Sequence, residues 1–407
     1  MEKWIENSKG HGFSESIPRD VALDILSKLS YKSLQRFKSV CKGWRCLISS
    51  PQFLKENFLL ANARNDSGRL WRCMYVVNRG STLGSGPFVL ETSECNGSTR
   101  EVRVDHGPTS TREFDFLGSC NGLLLLSRGR PGDDLFIWNP CSGKKKKVSC
   151  PDCFVLGLYK ISISGLAYDS SSEDYKAVFG AWSINYGYRG ILLYAFRTNT
   201  WKVIYRKGLP FMCDHSSEQG ATVNGAPHWL FGRRDILKLI DDRSIAYFDP
   251  AEEKFRKLSL PADREAIFDT IALGALGGCL SVTYYDSLVV GGRNMSETWV
   301  MREYGIEESW MKLFVFFPNS IFDYLYLRPL CFTTKDEVLM ELDRKRLVVY
   351  NIRDGSVTQY VSSFVQNKLI YWGASNLGFE LATYLETSDF PAMGTKKRSF
   401  SGEYKVR

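Results

Sequence analysis

The sequence has no long apolar run and no apolar segment near its first residue. Its longest leucine run is Leu123 to Leu126, whereas a membrane-spanning helix needs about 20 apolar residues. Residues 1–6 lack the apolar stretch of a secretory signal. The eleven cysteines are scattered, so we expect reduced thiols. These absences predict an intracellular protein of the cytoplasm, the nucleus or both, with no membrane partner.

Neither disorder nor strong charge characterises the chain. Hydrophobic residues make up 44% of the 407 residues and aromatic residues 14%, enough to bury a large core. Lys and Arg number 53 against 45 Asp and Glu, for a net charge of +8. That excess is small for this length, so we consider nucleic acid an unlikely partner.

Motifs of catalysis and of cofactor binding are also missing. The sequence contains no phosphate-cradling Gly-rich loop, no His-Glu-x-x-His and no Gly-x-Ser-x-Gly. The four histidines share no metal or general-base spacing: His11, His106, His215 and His228. We expect His228 to be packed in a strand, and Cys150 with Cys153 to be an ordinary turn rather than half of a zinc site. The prediction is therefore a non-catalytic protein without metal or cofactor.

The first sixty residues contain short amphipathic helices. Ala22, Ile25, Leu26 and Leu29 follow the spacing of one helix face. Pro18 suits the first turn of that helix. A second apolar stripe ends before Pro51: Val40, Cys41, Trp44 and Ile48. Because some forty residues bury only a thin core, we expect this module to dock onto a partner.

From about Arg69 onward the sequence is β-rich and repetitive. Aromatic anchors, each followed by a polar turn and another strand, recur every 46 to 58 residues: Trp138, Phe196, Phe248, Tyr304 and Tyr350. Kelch-type propeller blades repeat at about 50 residues. Five anchors and an earlier strand group favour six blades, and residues 369–386 leave seven possible. A β-sandwich pair is the competing fold, but it gives no reason for this repeat.

The residues themselves match a known family. The segment from Ile17 to Phe53, including Cys41-Lys42-Gly43-Trp44, resembles the F-box of plant F-box proteins. Ile17 and Ser30 depart from its usual Leu and Pro. Gly118-Ser119-Cys120-Asn121-Gly122-Leu123, Trp138-Asn139-Pro140 and the stretch from Val223 to Trp229 look like the kelch-like domain associated with that F-box.

The resemblance implies a mainly β chain with a small α module at its amino-terminal end. We expect five segments: a disordered terminus at 1–12, the F-box at 13–56, a linker at 57–68, a kelch-like β-propeller at 69–386 and a polar basic tail at 387–407.

The function that this resemblance implies is substrate recognition within an SCF-type E3 ubiquitin ligase. The F-box would bind a Skp-family adaptor, and through it a cullin-RING ligase. The propeller would bind an unknown protein target for ubiquitination. Apolar side chains at helical spacing are the expected adaptor contacts, although each could instead belong to the core of the module: Ile17, Pro18, Leu26, Leu34, Val40 and Trp44.

Aromatic and arginine side chains in two segments are the candidates for target binding, because such residues are favoured at protein interfaces. They are Trp182, Tyr186, Tyr188, Arg189, Arg233 and Arg234. A hairpin that packs its own aromatic rings is the alternative for the first segment, and a solvated hairpin tip for the second. Lys144 to Lys147 are expected on a solvated strand.

Two other functions stay open on sequence alone. The propeller could be a free binding module for a protein or a glycan, although no Ser-x-Asp-x-Gly-x-x-Trp box of sialidases is present. The chain could also be a scaffold that does not engage a cullin ligase. Binding to the adaptor separates the ligase role from both.

Overall fold

The protein is mainly β, with short helices near its amino-terminal end. The computed structural model describes residues 19–27, 33, 36–37, 39–48, 71–77, 89–94, 99–103, 114–128, 134–140, 142–148, 159–183, 189–204, 218–232, 234–235, 240–241, 243–262, 270–285, 295–317, 326–334, 336–342, 346–359, 379–385 and 400–401. Among these residues, no helix is long and apolar enough to cross a membrane.

Two helices form the core of the helical module: α1 (Arg19–Ser27) and α2 (Lys42–Ile48). A turn leads into α2, with hydrogen bonds from the Ser39 amide to the Arg36 carbonyl and from the Val40 amide to the Phe37 carbonyl. Leu26 of α1 packs against Leu47 and Ile48 of α2, so the two helices share one small core.

The strands form six sheets of four or more strands and one two-stranded ribbon. In order across the sheet, sheet 1 contains β27 (Phe379–Leu385), β1 (Trp71–Val77), β2 (Val89–Glu94) and β3 (Thr99–Arg103). Sheet 2 contains β4 (Phe114–Cys120), β5 (Leu123–Arg128), β6 (Asp134–Trp138) and β7 (Lys145–Val148). Sheet 3 contains β12 (Glu218–Gln219), β8 (Tyr159–Asp169), β9 (Asp174–Ser183), β10 (Arg189–Ala195), β11 (Thr200–Ile204) and β28 (Phe400–Ser401).

The remaining sheets follow the same pattern along the chain. Sheet 4 contains β13 (Ala221–Val223), β14 (Ala226–Phe231), β17 (Ser244–Asp249) and β18 (Lys254–Leu258). The ribbon pairs β15 (Arg234–Asp235) with β16 (Ile240–Asp241) between β14 and β17. Sheet 5 contains β19 (Thr270–Leu276), β20 (Cys279–Tyr285), β21 (Ser296–Met301) and β22 (Trp310–Phe316). Sheet 6 contains β23 (Leu327–Thr334), β24 (Glu337–Leu342), β25 (Arg346–Asn351) and β26 (Val357–Gln359).

Neighbouring sheets meet through their first strands and form a closed ring. Strand β27 lies beside β4, β4 beside β8, β8 beside β13, β13 beside β19 and β19 beside β23, while β23 lies beside β1 of sheet 1. Strand β27 comes from the carboxy-terminal part of the chain and pairs with β1 along seven residues. The two ends of the domain therefore share one sheet, which closes the ring.

The expected six or seven uniform four-stranded blades are not matched. Five sheets are four-stranded blades, whereas sheet 3 has six strands because β12 and β28 add to its two edges. The strand-like sequence before Glu386, which left a seventh blade possible, includes β27. That strand completes sheet 1, since pairing with β1 satisfies its main-chain groups without a further sheet.

Four of the five predicted aromatic anchors mark the end of the third strand of a sheet, whereas Tyr304 lies three residues after β21 and is half-buried. Trp138 ends β6, Phe196 follows β10, and Phe248 and Tyr350 lie in β17 and β25. All four are buried. After each anchor the chain turns sharply, and a side chain commonly caps the turn: the Asn139 Oδ1 atom, for example, accepts a hydrogen bond from the Ser142 amide.

The apolar core lies between neighbouring sheets. One cluster joins sheets 2 and 3, and others join sheets 3 and 4, 4 and 5, and 5 and 6. Successive side chains of a strand point to opposite faces of its sheet, so β9 contributes to the core on both sides of sheet 3. Phe179 packs toward sheet 2, whereas Val178 packs toward sheet 4. Each sheet therefore stabilises the next, as expected for radial stacking.

Candidate interaction surfaces

The helical module keeps part of its apolar surface outside its core. Ala22 and Leu26 of α1 are buried, but Val21 and Ile25 on the adjacent face of the same helix are 47% and 44% exposed. Val40, in the turn before α2, is 63% exposed. Exposed apolar side chains on a short module are typical of a docking surface.

Of the predicted adaptor residues, three lie within the described part of the chain. Leu26 is fully buried in the module core, and Trp44 is half-buried with its ring 5.1 Å from that of Phe37. Val40 faces solvent. Ile17, Pro18 and Leu34 lie outside the described residues.

The apolar face predicted for α1 is divided in the structure. Ala22 and Leu26 are buried, whereas Ile25 is exposed together with Val21. The spacing of four residues between Val21 and Ile25 places them on one face, next to the face of Ala22 and Leu26. That spacing is visible in the sequence and could have identified this second apolar face.

The antiparallel order of the sheets gives the ring two distinct ends. Connections between first and second strands, and between third and fourth strands, lie at one end, which we call the turn face. Connections between second and third strands, and the crossovers from sheet to sheet, lie at the other end, the crossover face. Two-residue turns with positive φ shape the turn face, as at Asn121 and Gly122 with φ 50° and 77°.

The two predicted target-binding segments both belong to the crossover face. Trp182, near the end of β9, lies opposite Arg189 at the start of β10. Arg234 lies opposite Asp241 in the ribbon between the second and third strands of sheet 4. Topology therefore brings the two segments to one end of neighbouring sheets. Tyr186, Tyr188 and Arg233 lie outside the described residues.

The chain enters the ring at the opposite end. Strand β1 begins at Trp71, which pairs with Leu385 at the end of β27. The first strand of a sheet ends at the turn face, so Trp71 also lies there. The segment that leads from the helical module therefore joins the ring at the turn face, away from the crossover connections.

A buried indole holds sheets 3 and 4 together. The Trp229 Nε1 atom donates a hydrogen bond to the Ser164 carbonyl at 3.1 Å, and the Gly220 amide donates to the same carbonyl at 2.8 Å. A Cβ atom on Gly165 would lie 2.7 Å from the Cβ of Pro227 and 2.9 Å from the Trp229 ring. Only glycine fits there, because the sheets approach so closely.

A buried lysine spans the same boundary on the turn face. The Lys176 ammonium donates to the Pro250 carbonyl at 2.6 Å and to Glu253 at 3.0 Å, and lies 3.4 Å from Asp169. Burial disfavours the charged form of Asp169, but hydrogen bonds from Ser171 and Ser172 outweigh it and lower the pKa of Asp169 to about 2. The carboxylate is thus ionised opposite Lys176 at neutral pH.

His228 links sheets 4 and 5 and is fully buried, as expected for a packed strand histidine. Its Nδ1 atom lies 3.1 Å from the Ala221 carbonyl, and its Nε2 atom lies 2.8 Å from the Tyr304 hydroxyl. A carbonyl only accepts, so Nδ1 carries the proton and Nε2 accepts from Tyr304. Burial lowers the pKa of His228 to about 4, so the ring is neutral near pH 7.

The outer strand of sheet 2 carries the predicted lysine run. Lys144, Lys145 and Lys147 are exposed, and Lys146 is half-buried opposite Ile137. Burial lowers the pKa of Lys146. Within the residues that the structure describes, no group of three or more His, Cys, Asp or Glu side chains could hold a metal ion. Cys150 and Cys153 lie outside those residues.

Comparisons with known proteins identify both parts of this architecture. A model of the F-box associated beta propeller domain matches residues 93–376, more than half of the chain. A model of the F-box domain matches residues 15–56. The chain therefore belongs to the family of F-box proteins with an F-box associated β-propeller domain.

Curated relatives from Arabidopsis thaliana match most of the chain. F-box protein At3g07870 is 26% identical over 84% of this chain and 87% of its own length. F-box/kelch-repeat protein At3g23880 is 26% identical over 86% of this chain and 92% of its own. F-box protein CPR1 is 26% identical over 83% of this chain and 82% of its own.

Proposed function

We propose that this chain is the substrate-recognition subunit of an SCF-type E3 ubiquitin ligase. Its F-box binds a Skp-family adaptor, and through it a cullin-RING ligase. Its propeller binds a target protein for ubiquitination. The chain contributes no catalytic group: it raises the effective concentration of the target beside the ubiquitin-charged enzyme.

The observation that carries this proposal is that the chain enters the ring at the turn face, whereas the candidate target segments belong to the crossover face. The helical module presents Val21, Ile25 and Val40 to solvent and joins the ring at the turn face. The candidate target segments, near Arg189 and Arg234, belong to the crossover face. An adaptor and a target could then bind without competing for the same surface.

Two finer features belong to the same proposal. Sheet 3 is of the kelch-like type, because β8 to β11 occupy the same places in it as the four strands of the other sheets. Sheet 3 packs between sheets 2 and 4 of the ring. We also assign the protein to the cytoplasm, the nucleus or both, where cullin-RING ligases would meet it.

Reconstitution of the complex tests the function. The full-length chain, carrying an affinity tag, is expressed with a panel of Skp-family adaptors, a cullin and its RING subunit. We expect all of these subunits to co-purify with the wild-type chain. The ligase role is contradicted if the folded chain retains no adaptor from the panel, and the ring would then be a free-standing binding module.

A matched pair of variants locates the contact. Ile25→Asp places a charge on the exposed face of α1 and should remove the adaptor together with the cullin. Phe317→Asp makes the same kind of change at a ring side chain that is 52% exposed, and it should leave the complex intact. Arg189→Ala with Arg234→Ala should also leave the complex intact while it weakens capture of targets.

A further inference from the structure

A strand from the end of the chain lies on the outer edge of sheet 3. Strand β28 pairs in parallel with β11, with Phe400 opposite Trp201 and Ser401 opposite Lys202. The chain has already closed the ring through β27 in sheet 1 before it reaches this edge. The final segment of the chain therefore connects two sheets that lie on either side of sheet 2 in the ring.

Outer strands of a propeller need protection, because their free main-chain groups can pair with another polypeptide. Charged residues occur along three of the described outer strands. They are Lys145, Lys146 and Lys147 in β7 and Lys254, Arg256 and Lys257 in β18, while the sequence of β3 is Thr-Arg-Glu-Val-Arg. Charges at such positions oppose pairing with a second strand.

Two other outer strands are protected by their geometry. Strand β26 has only three residues. Strand β22 has an irregular register with β21, since Thr298 lies opposite Phe314 while Trp299 lies opposite Lys312. The extra residue, Leu313, is a β-bulge, and bulges twist an edge away from a regular partner.

The outer strand of sheet 3 has neither kind of protection. Strand β11 pairs with β10 over five residues without a register shift. Its sequence is Thr-Trp-Lys-Val-Ile, so Lys202 is its single charged residue. Within the described part of the chain, β11 is also the outer strand on which a further strand is placed. The outer strand that lacks protection, β11, is therefore also the strand with which β28 pairs.

We propose that the outer edge of β11 is a strand-acceptor site and that the carboxy-terminal segment of this chain, through β28, is its occupant. Phe400 and Ser401 of the segment pair with Trp201 and Lys202 on the edge that lacks other protection. Release of the segment frees the edge of β11 to pair with an extended stretch of a second polypeptide. At high protein concentration, that polypeptide is a second copy of this chain. This proposal is independent of the ligase role.

The test uses point variants of the full-length chain. Ser401→Pro disfavours the pairing of β28, because proline has no amide hydrogen to donate to a strand. We expect amide exchange of the peptide covering residues 199–204 to become about tenfold faster. We also expect a concentration-dependent rise in mass by light scattering. Lys405→Pro, which changes the same segment beyond the pair, should do neither.

A second variant adds the missing protection. Thr200→Lys, together with Ser401→Pro, gives β11 lysines at two alternate positions, the spacing of exposed Lys145 and Lys147 in β7. This double variant should remain a monomer although its β11 amides still exchange fast. The proposal is overturned if Ser401→Pro and Lys405→Pro give the same exchange in β11, or if the double variant associates as Ser401→Pro does.

Discussion

The ring and the helical module bury their apolar side chains very differently. In the ring, every described boundary from sheet 2 to sheet 6 contains its own buried cluster, and large side chains such as Trp229, Phe248 and Tyr284 are almost fully covered. In the described part of the module, four buried apolar residues, Ala22, Leu26, Leu47 and Ile48, stand beside exposed Val21, Ile25 and Val40. The described sheets bury their apolar side chains against one another, whereas the module leaves part of its apolar surface exposed.

The first prediction breaks the ring at the boundary between sheets 3 and 4. Trp229→Ala removes a fully buried indole and its hydrogen bond to Ser164, so we expect a loss of about 3 to 5 kcal/mol in the free energy of unfolding. Trp310→Ala, at a half-buried ring position, is the control and should cost less than half as much. Urea denaturation of the full chain measures both. Equal losses would contradict the assignment of Trp229 as a boundary residue.

The second prediction concerns the pH dependence of the ring at the boundary between sheets 4 and 5. Burial lowers the pKa of His228 from 6.5 to about 4. Between these values the unfolded chain takes up a proton that the folded ring does not, so stability falls as the pH drops from about 6.5 to 4, by about 3 kcal/mol. Urea midpoints measured from pH 7 to pH 4 would follow this decline.

His228→Gln provides the control for that decline. Glutamine has no titratable group, so this variant should be less stable than wild type at pH 7 but should lack the histidine contribution at lower pH. If the stability of His228→Gln falls with pH as steeply as that of the wild type, other titratable groups cause the decline.

The third prediction tests the lysine on the turn face. Lys176→Met leaves the carboxylates of Asp169 and Glu253 without their shared cation, although Ser171, Ser172 and Lys202 still bind them. We expect a loss of about 1 to 3 kcal/mol. Lys254→Met removes an exposed pair with Glu252 and should change stability by less than about 0.5 kcal/mol. Equal urea midpoints for Lys176→Met and Lys254→Met would show that the buried ion pairs of Lys176 do not stabilise the ring.

The smallest expected effect on stability comes from the exposed side of the module. Val40→Asp replaces a side chain that is 63% exposed, so it should change the stability of the free chain by about 0.5 kcal/mol or less. Its effect on adaptor binding should be large, because a buried charge at an interface is costly. Thermal unfolding of the free chain and adaptor pull-down, measured together, separate the two effects.

Much of the ring could be predicted from local sequence. The aromatic anchors and the polar turns after them repeat because sheets 2, 3, 4 and 6 each have the same kind of buried side chain followed by a turn. Trp138, Phe248 and Tyr350 accordingly occupy equivalent positions. Pairing between distant segments could not be predicted. The pairing of β27 with β1 joins residues about 300 positions apart, and no short-range pattern identifies such a partner.

The candidate surfaces were predictable only in part. Spacing identified α1 as amphipathic, but Ile25 lies at the edge of the apolar stripe, and only the packing against α2 decides which side it faces. Adaptor and target roles remain predictions for all twelve residues chosen from the sequence. For Trp182, Arg189 and Arg234, the topology adds that they share one end of neighbouring sheets.

Calorimetric titration of a purified Skp-family adaptor into the full-length chain tests the central claim most directly. We predict saturable binding by wild type, with a negative heat-capacity change from burial of the apolar face of the module. We predict the same binding for Phe317→Asp, and at least tenfold weaker binding for Val40→Asp, with all three proteins equally folded. Absence of binding across a panel of adaptors, or equal binding by the two variants, would contradict the claim.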